Sequence, residues 1–401
     1  MASPPRAGRL GFVPVRFGDD LVGGAEMLMR EMADGLAARG WAVDVLTGCT
    51  RDHFREVNHY PPGESVRPSG ARVVRFPSVA SMHRADRVLG NRALAAGTQL
   101  DTDAQYRWCN DDVRVPGLFD HLLDHAHEYR ALVFGPYLYW TTVAGSMVAP
   151  ERSVLVPCLH DEPTAHLRLF DREFRDARGV WFLSEPEAAF ARSRFPFLAD
   201  AAVIGSGVDV PAGADPERFR ARHGIRGPFA LYAGRREKGK GFGRLLDDFV
   251  DAVGLEHLDV TLVVAGPGAV TIPDRARAHV VDVGLLDVLD RDDAMAAASA
   301  VIQPSPYESF SRTMMEAWLA GASVIANRAS AVSAWHCERA GAGSTYSGAD
   351  ELGRALRAAL EPGAREDGVR GRDYVLREYT WPAVLDRVEV LLDGWLPVGS
   401  A

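Results

Sequence analysis

Residues 229–266, FALYAGRREKGKGFGRLLDDFVDAVGLEHLDVTLVVAG, read as a short apolar strand, a basic loop, a helix over 241–254 and a second apolar strand. Two strands joined through a helix are predicted to lie parallel in one sheet, because the helix supplies the long crossover that a parallel pair needs. The same alternation runs on through AHVVDVG (278–284), a helix near 288–297, SAVIQP (299–304), a helix near 312–320 and SVIAN (323–327). This is the pattern of a doubly wound unit.

The first 210 residues carry the pattern once already. RLGFVPV (9–15), a helix near 23–39, WAVDVLT (41–47) and ARVVRF (71–76) precede ALVFG (131–135), SVLVP (153–157), a charged helix around 163–177, GVWFLS (179–184) and AAVIG (201–205). Only the stretch 78–115 shows no clear period. GSGVDVPAGADPERF (205–219) concentrates Gly, Pro and Asp and reads as a linker. The expected organisation is therefore an α/β chain of two Rossmann-like domains facing a central cleft, residues 1–210 and 211–379. Helical patterns close the chain, and TWPAVLDRVEVLLDGWL, with Thr380 as cap and Pro382 in the first turn, is predicted as a helix over about 380–396 that returns to the first domain.

Composition narrows the function. At 401 residues the chain exceeds one comfortable core. A net charge of −9 argues against a phosphate-backbone partner, so no nucleic acid is expected. No apolar run is long enough to span a bilayer and no signal-peptide core is evident, which predicts a cytoplasmic protein. Cys49, Cys109, Cys158 and Cys337 lack metal or CxxC spacing and read as free thiols. The run with Arg84, Arg87 and Arg92, and HLRLFDREFRDAR (166–178), admit peripheral contact with a membrane or an anionic acceptor, although their interleaved acids suit a solvated face. Oligomeric state is left open.

Three segments carry chemistry. Gly23 and Gly24 open a helix directly after the first strand, where backbone N–H groups can meet a diphosphate without a Cβ in the way, although many such turns are only tight turns. The loop after FALYAG holds Arg235, Arg236, Lys238 and Lys240, and the last two are the chain's only lysines against 43 arginines. A solvated basic loop is the plain alternative. A sequence that spends arginine everywhere else but keeps lysine here points to a compact charge aimed at one oxygen. Finally, PSPYESFSRTMMEAWLAGASVIAN (304–327) places Glu308 in a loop and Glu316 eight residues later on a helix, with the N–H groups of Ser309, Phe310, Ser311 and Arg312 at the helix start.

This last segment resembles the E-x7-E signature of the retaining GT-B glycosyltransferases, above all glycosyltransferase family four. The likeness extends to GGAE after the first strand, His160–Asp161, SGVD (206–209), the AGR loop with Lys240 five residues after Arg235, and VVAGPG (263–268). Ser311 and Ser323 depart from it, standing where glycine and proline are usual. The resemblance implies that Arg235 and Lys240 hold the donor diphosphate, Glu316 the donor ribose, Glu308 and His160 the transferred sugar, and the backbone near Val283 and Gly284 the base. Asp161 beside His160 would orient it or meet the acceptor. The reaction implied is transfer from a nucleotide diphosphate-sugar to an unidentified acceptor hydroxyl on a glycan, lipid or small molecule, with retention, no cofactor and no metal. A GT-B epimerase, hydrolase or non-catalytic partner subunit would share the fold. A phosphorylase would need a pyridoxal phosphate lysine, for which two lysines in one loop offer no candidate.

Overall fold

The computed structural model describes residues 8–395 except 22, 53–56, 82–84, 199 and 270. The chain divides into two units, Met1–Gly207 with Trp381–Ala401, and Val208–Thr380.

Among the described residues the first unit holds eight strands: β1 (Arg9–Pro14), β2 (Ala42–Gly48), β3 (Gly63–Val66), β4 (Arg72–Phe76), β5 (Tyr129–Gly135), β6 (Ser153–Leu155), β7 (Gly179–Phe182) and β8 (Ala201–Val203). They lie in the order β3-β4-β2-β1-β5-β6-β7-β8, and only β3 with β4 is antiparallel. Leu10, Phe12 and Val13 of β1 and 131–134 of β5 are fully buried, as strands covered on both faces must be. β3, GESV, is exposed at all four positions, so no apolar run announces it.

Two segments differ from the sequence reading. The charged helix expected over 163–177 is instead two 3-10 turns, Pro163–His166 and Arg168–Phe170, followed by the helix Asp171–Asp176. Leu167 breaks it, because its backbone is extended (φ −67°, ψ 132°) and its side chain enters the core. The aperiodic stretch 78–115 contains the helices Ala85–Ala95 and Thr102–Asn110. The first buries only Gly90 among its residues, against the Trp108 ring, so no apolar stripe marks it.

The helix Trp381–Trp395 packs on the first unit. Val384, Leu385, Val388 and Leu392 are buried, and Leu385 lies against Gly35. Trp41 Nε1 donates to Glu389 at 3.0 Å, Arg39 donates to Asp386 at 2.6 Å, and Arg387 Nε donates to the Ile204 carbonyl at 2.9 Å.

The second unit holds, among the described residues, β9 (Phe229–Ala233), β10 (Thr261–Ala265), β11 (Val280–Gly284), β12 (Ala300–Gln303), β13 (Ser323–Asn327) and β14 (Ser344–Tyr346). The order is β11-β10-β9-β12-β13-β14 and all neighbours are parallel. The helix Phe242–Glu256 buries Phe242, Leu245, Leu246, Phe249 and Val253, one face at helical spacing. The chain winds outward from β9 to β11 and then restarts at β12 on the other side of β9. The carboxyl ends of β9 and β12 therefore flank the point where winding reverses, the crevice in which open α/β sheets bind ligands. Val208 and Thr380, the two ends of this unit, form an isolated parallel bridge, and Val208 N–H donates to the Tyr379 carbonyl at 2.8 Å.

Candidate active site

The loop leaving β9 is shaped by glycine. Gly241 has φ +71°, and a Cβ there would come within 2.5 Å of the Pro304 carbonyl oxygen in the loop leaving β12. This close approach lets the 3-10 turn Lys238–Lys240 deliver Lys240 to the second loop, where its Nζ donates to Glu308 Oε1 at 2.7 Å. The lysine side chain is 30% exposed and the glutamate 11%. A single lysine thus links the two loops that flank the reversal point.

The other cations of the loop do different work. Arg235 is largely exposed, 3.3 Å from Glu237, while its carbonyl accepts from Tyr232 Oη at 2.5 Å. Arg236 turns inward and donates from Nη1 to Asp282 Oδ2 at 2.8 Å, holding that carboxyl below its ordinary range against the opposing effect of burial. It fastens β11 and is not a free phosphate contact. Lys238 faces solvent.

Beyond Glu308 the chain is over-determined. Ser311 is left-handed (φ 67°, ψ 64°) and buried, and Gln303 Nε2 donates to its Oγ at 2.9 Å. Phe310 is buried edge-on against His336 (5.3 Å between centroids) and Tyr379 (4.9 Å). The helix Arg312–Leu319 has no side-chain hydrogen bond at its Ser311 cap, so no side-chain cap occupies the N–H groups at its start. Glu316 Oε1 lies 3.6 Å from Arg291 Nη1 and 3.9 Å from Arg312 Nη2. Arg291, on the helix Val288–Ala297, escaped the sequence reading because nothing in that helix's pattern announces a partner on another element. At the end of β11, Gly284 (φ +73°) donates to Asp282 Oδ1 at 2.9 Å, and its carbonyl accepts from Gly266 N–H at 2.8 Å. The ladder slips between Val264 and Ala265, which leaves Val283 without a partner in the β10 register.

Gly23, Gly24 and His160 belong to the first unit. Gly23 caps the helix Gly24–Ala38 as an extended residue, and the Glu26 carboxylate, paired with Arg16, lies against it. A negative group of the chain itself thus sits where an anion was expected. His160 Nδ1 is 3.5 Å from Glu162 Oε1, which accepts from Tyr137 Oη at 3.0 Å. Asp161, expected either to orient His160 or to meet the acceptor, does not orient the ring: it pairs with His166 Nε2 at 2.7 Å. The reason is local: the His160 carbonyl accepts the Glu162 N–H at 2.8 Å, and this turn brings Glu162 alongside the ring.

Several of the surface cations considered above have partners within the chain. Arg87 pairs with Asp112 at 3.2 Å and stacks 4.3 Å from the Trp108 ring, Arg172 pairs with Asp176, and Arg178 with Asp200. Arg84 lies outside the described residues. No disulfide joins Cys49, Cys109, Cys158 or Cys337. Among the described residues no group of three or more His, Cys, Asp or Glu is arranged to hold a metal ion, and no helix is long and apolar enough to cross a membrane.

Residues 227–361, which include Arg235, Lys240, Val283, Gly284, 308–312 and Glu316, match the family model described as glycosyl transferases group 1. The match lies wholly within the second unit. No curated protein matches the sequence. Solved structures match nearly end to end. Sucrose-phosphate synthase from Thermosynechococcus elongatus has a TM-score of 0.70 at 18% identity, covering 96% of this chain and 98% of that one. Anabaena HepE in complex with UDP-glucose has 0.67 at 17%, covering 96% and 99%. WaaG, a glycosyltransferase involved in lipopolysaccharide biosynthesis, has 0.65 at 16%, covering 96% and 100%. The chain shares the GT-B fold of these structures, two Rossmann-like α/β domains.

Proposed function

We propose that this chain moves a glycosyl group from a nucleotide diphosphate-sugar to an acceptor hydroxyl, with retained anomeric configuration and without a metal ion, as a glycosyltransferase of the family four kind. The observation that carries the reading is the Lys240–Glu308 contact at the reversal point of the second unit. Breaking the glycosidic bond leaves negative charge on the departing diphosphate. Lys240 and the exposed Arg235 supply fixed positive charge there, and the N–H groups of 309–312 supply further donors. Glu316, held between Arg291 and Arg312, accepts from the ribose hydroxyls. Glu308 and His160 accept from and donate to hydroxyls of the transferred sugar. The acceptor proton passes to the leaving diphosphate oxygen on the same face of the sugar, so atoms and charge balance without an added base. The backbone at Val283 and Gly284 is assigned to the base, which the unpaired register position of Val283 supports, and Gly23 and Gly24 are assigned to the diphosphate, with Glu26 displaced.

UDP-sugars are the first donors to try, since HepE is described with UDP-glucose. Thermal unfolding is to be followed with UDP, GDP, ADP and TDP and their common sugars, with and without EDTA, because a ligand that binds only folded protein raises Tm by mass action. A rise for one nucleotide that survives EDTA is expected. A rise that requires a divalent ion overturns the metal-free mechanism. No rise with any nucleotide favours the non-catalytic partner.

A further inference from the structure

The loop that carries His160 is held by a side-chain carboxyl group from another element. β6 and β7 are paired neighbours, Val154 with Gly179 and Leu155 with Val180, and their continuations diverge past the carboxyl edge of the sheet. Glu187, in the first turn of the helix Glu185–Arg194, lies between those continuations and is 2% exposed. Its Oε1 accepts the Leu159 N–H at 2.5 Å and its Oε2 accepts the Leu183 N–H at 2.6 Å. Ser184 Oγ accepts the Glu187 N–H at 3.3 Å, so part of this is an ordinary capping box, S-x-x-E. A capping box needs only amides of its own helix start. The bond to Leu159 leaves the helix for a loop 28 positions earlier.

That loop is strained. Among the described residues three non-glycine residues have positive φ: His257 terminates a helix, Ser311 precedes the Arg312 helix, and Cys158 (φ 53°) stands two residues before His160. Left-handed backbone at a residue with a Cβ persists only where its surroundings enforce it. Here Tyr137 N–H holds the Pro157 carbonyl at 3.2 Å on one side, and Glu187 holds the Leu159 amide on the other. The next residue is His160.

We propose that Glu187 is a positioning residue that, through the Leu159 amide, keeps Cys158 left-handed and so aims the His160 ring at the transferred sugar. The proposal rests on the reading of His160 given above. The test uses the full chain and UDP-glucose, or whichever GDP-, ADP- or TDP-sugar raises Tm, with kcat and donor KM measured for Glu187→Gln, His160→Ala and the double variant. Glu187→Gln replaces one acceptor oxygen by an amide nitrogen that cannot accept. It is expected to lower kcat tenfold or more, to change donor KM less than threefold, and to add no loss in the His160→Ala background. Adding Cys158→Gly to Glu187→Gln is expected to restore at least a third of parental kcat, since glycine takes the left-handed conformation unaided. Rescue of that kind does not follow from loss of a helix cap. Equal losses in both backgrounds, or no rescue, overturn the proposal. An unimpaired His160→Ala sinks the His160 reading itself, whereas an impaired His160→Ala beside an unimpaired Glu187→Gln sinks only the role of Glu187. Glu187→Asp, which keeps both acceptor oxygens but shortens the reach, is the variant to use should Glu187→Gln not fold, with the same expectations.

Discussion

Lys240 reaches its partner across two loops, so its removal separates charge from packing: it is 30% exposed and leaves no cavity. Lys240→Ala is expected to keep Tm within a few degrees and to lower turnover roughly 100-fold, the scale on which one fixed electrostatic stabiliser counts; unchanged turnover would remove it from the mechanism. His336 makes a different expectation at this scale. Wholly buried behind Phe310, with Nδ1 bonded to Tyr374 Oη at 2.9 Å, its pKa is pushed down by burial to about 3. The unfolded chain takes up the proton near pH 6.5 while the folded chain resists it to about pH 3, so folding is favoured fully above 6.5 and loses support as pH falls through that window. The loss is roughly 1.4 kcal/mol per unit. Thermal unfolding between pH 7 and 4 should show Tm falling, and His336→Gln should flatten the dependence; parallel curves would assign the acid sensitivity elsewhere. Lys240 was legible because a sequence with two lysines marks each of them. Arg291 and Glu187 were not, since the first acts on a residue of another helix and the second on an amide 28 positions away. The orienting alternative for Asp161 fails on a local feature: which carboxylate meets a histidine ring is decided by a turn, not by adjacency.

At the level of the element, the β9 loop depends on one backbone conformation. Gly241→Ala puts a Cβ at φ +71° and 2.5 Å from the Pro304 carbonyl, so either the turn opens or the β12 loop retreats. We expect a loss of about 1–3 kcal/mol in urea unfolding, together with weaker nucleotide binding, because Lys240 is displaced along with the turn. Unchanged binding would show that the lysine finds its place without the turn. The elements that sequence disclosed are those whose residues are buried by a repeating rule, strands covered on both faces and helices with one apolar stripe, as in Phe242–Glu256. Those it concealed obey no such rule. β3 has β4 as its one sheet neighbour among the described residues and an exposed sequence, Ala85–Ala95 offers a glycine to a tryptophan, and 163–177 is broken where Leu167 turns inward.

For the whole molecule, the helix Trp381–Trp395 completes a unit begun at the other end of the chain. Its four buried aliphatic side chains, at ~1.5–3 kcal/mol each, are comparable with the ~5–15 kcal/mol that stabilises a typical domain. Ending the chain after Thr380 is therefore expected to abolish the first unit's calorimetric transition, while the nucleotide that raises Tm in the parent still protects the second unit; survival of both transitions would show that the helix is dispensable. The two-unit architecture was readable from the repeat of one strand–helix pattern on either side of a Gly- and Pro-rich linker. The bridge between Val208 and Thr380 was not, since residues so far apart in sequence meet only in the fold. That bridge sets an order of events during synthesis. Residues 8–207 leave the ribosome lacking the surface that covers Gly35 and Trp41, and must wait while the whole second unit is translated, on the order of ten seconds or more at ~5–20 residues per second. The second unit needs nothing made after Thr380. The earlier half is therefore the part left incomplete longest during synthesis, and contact with a chaperone is expected there rather than on the second unit.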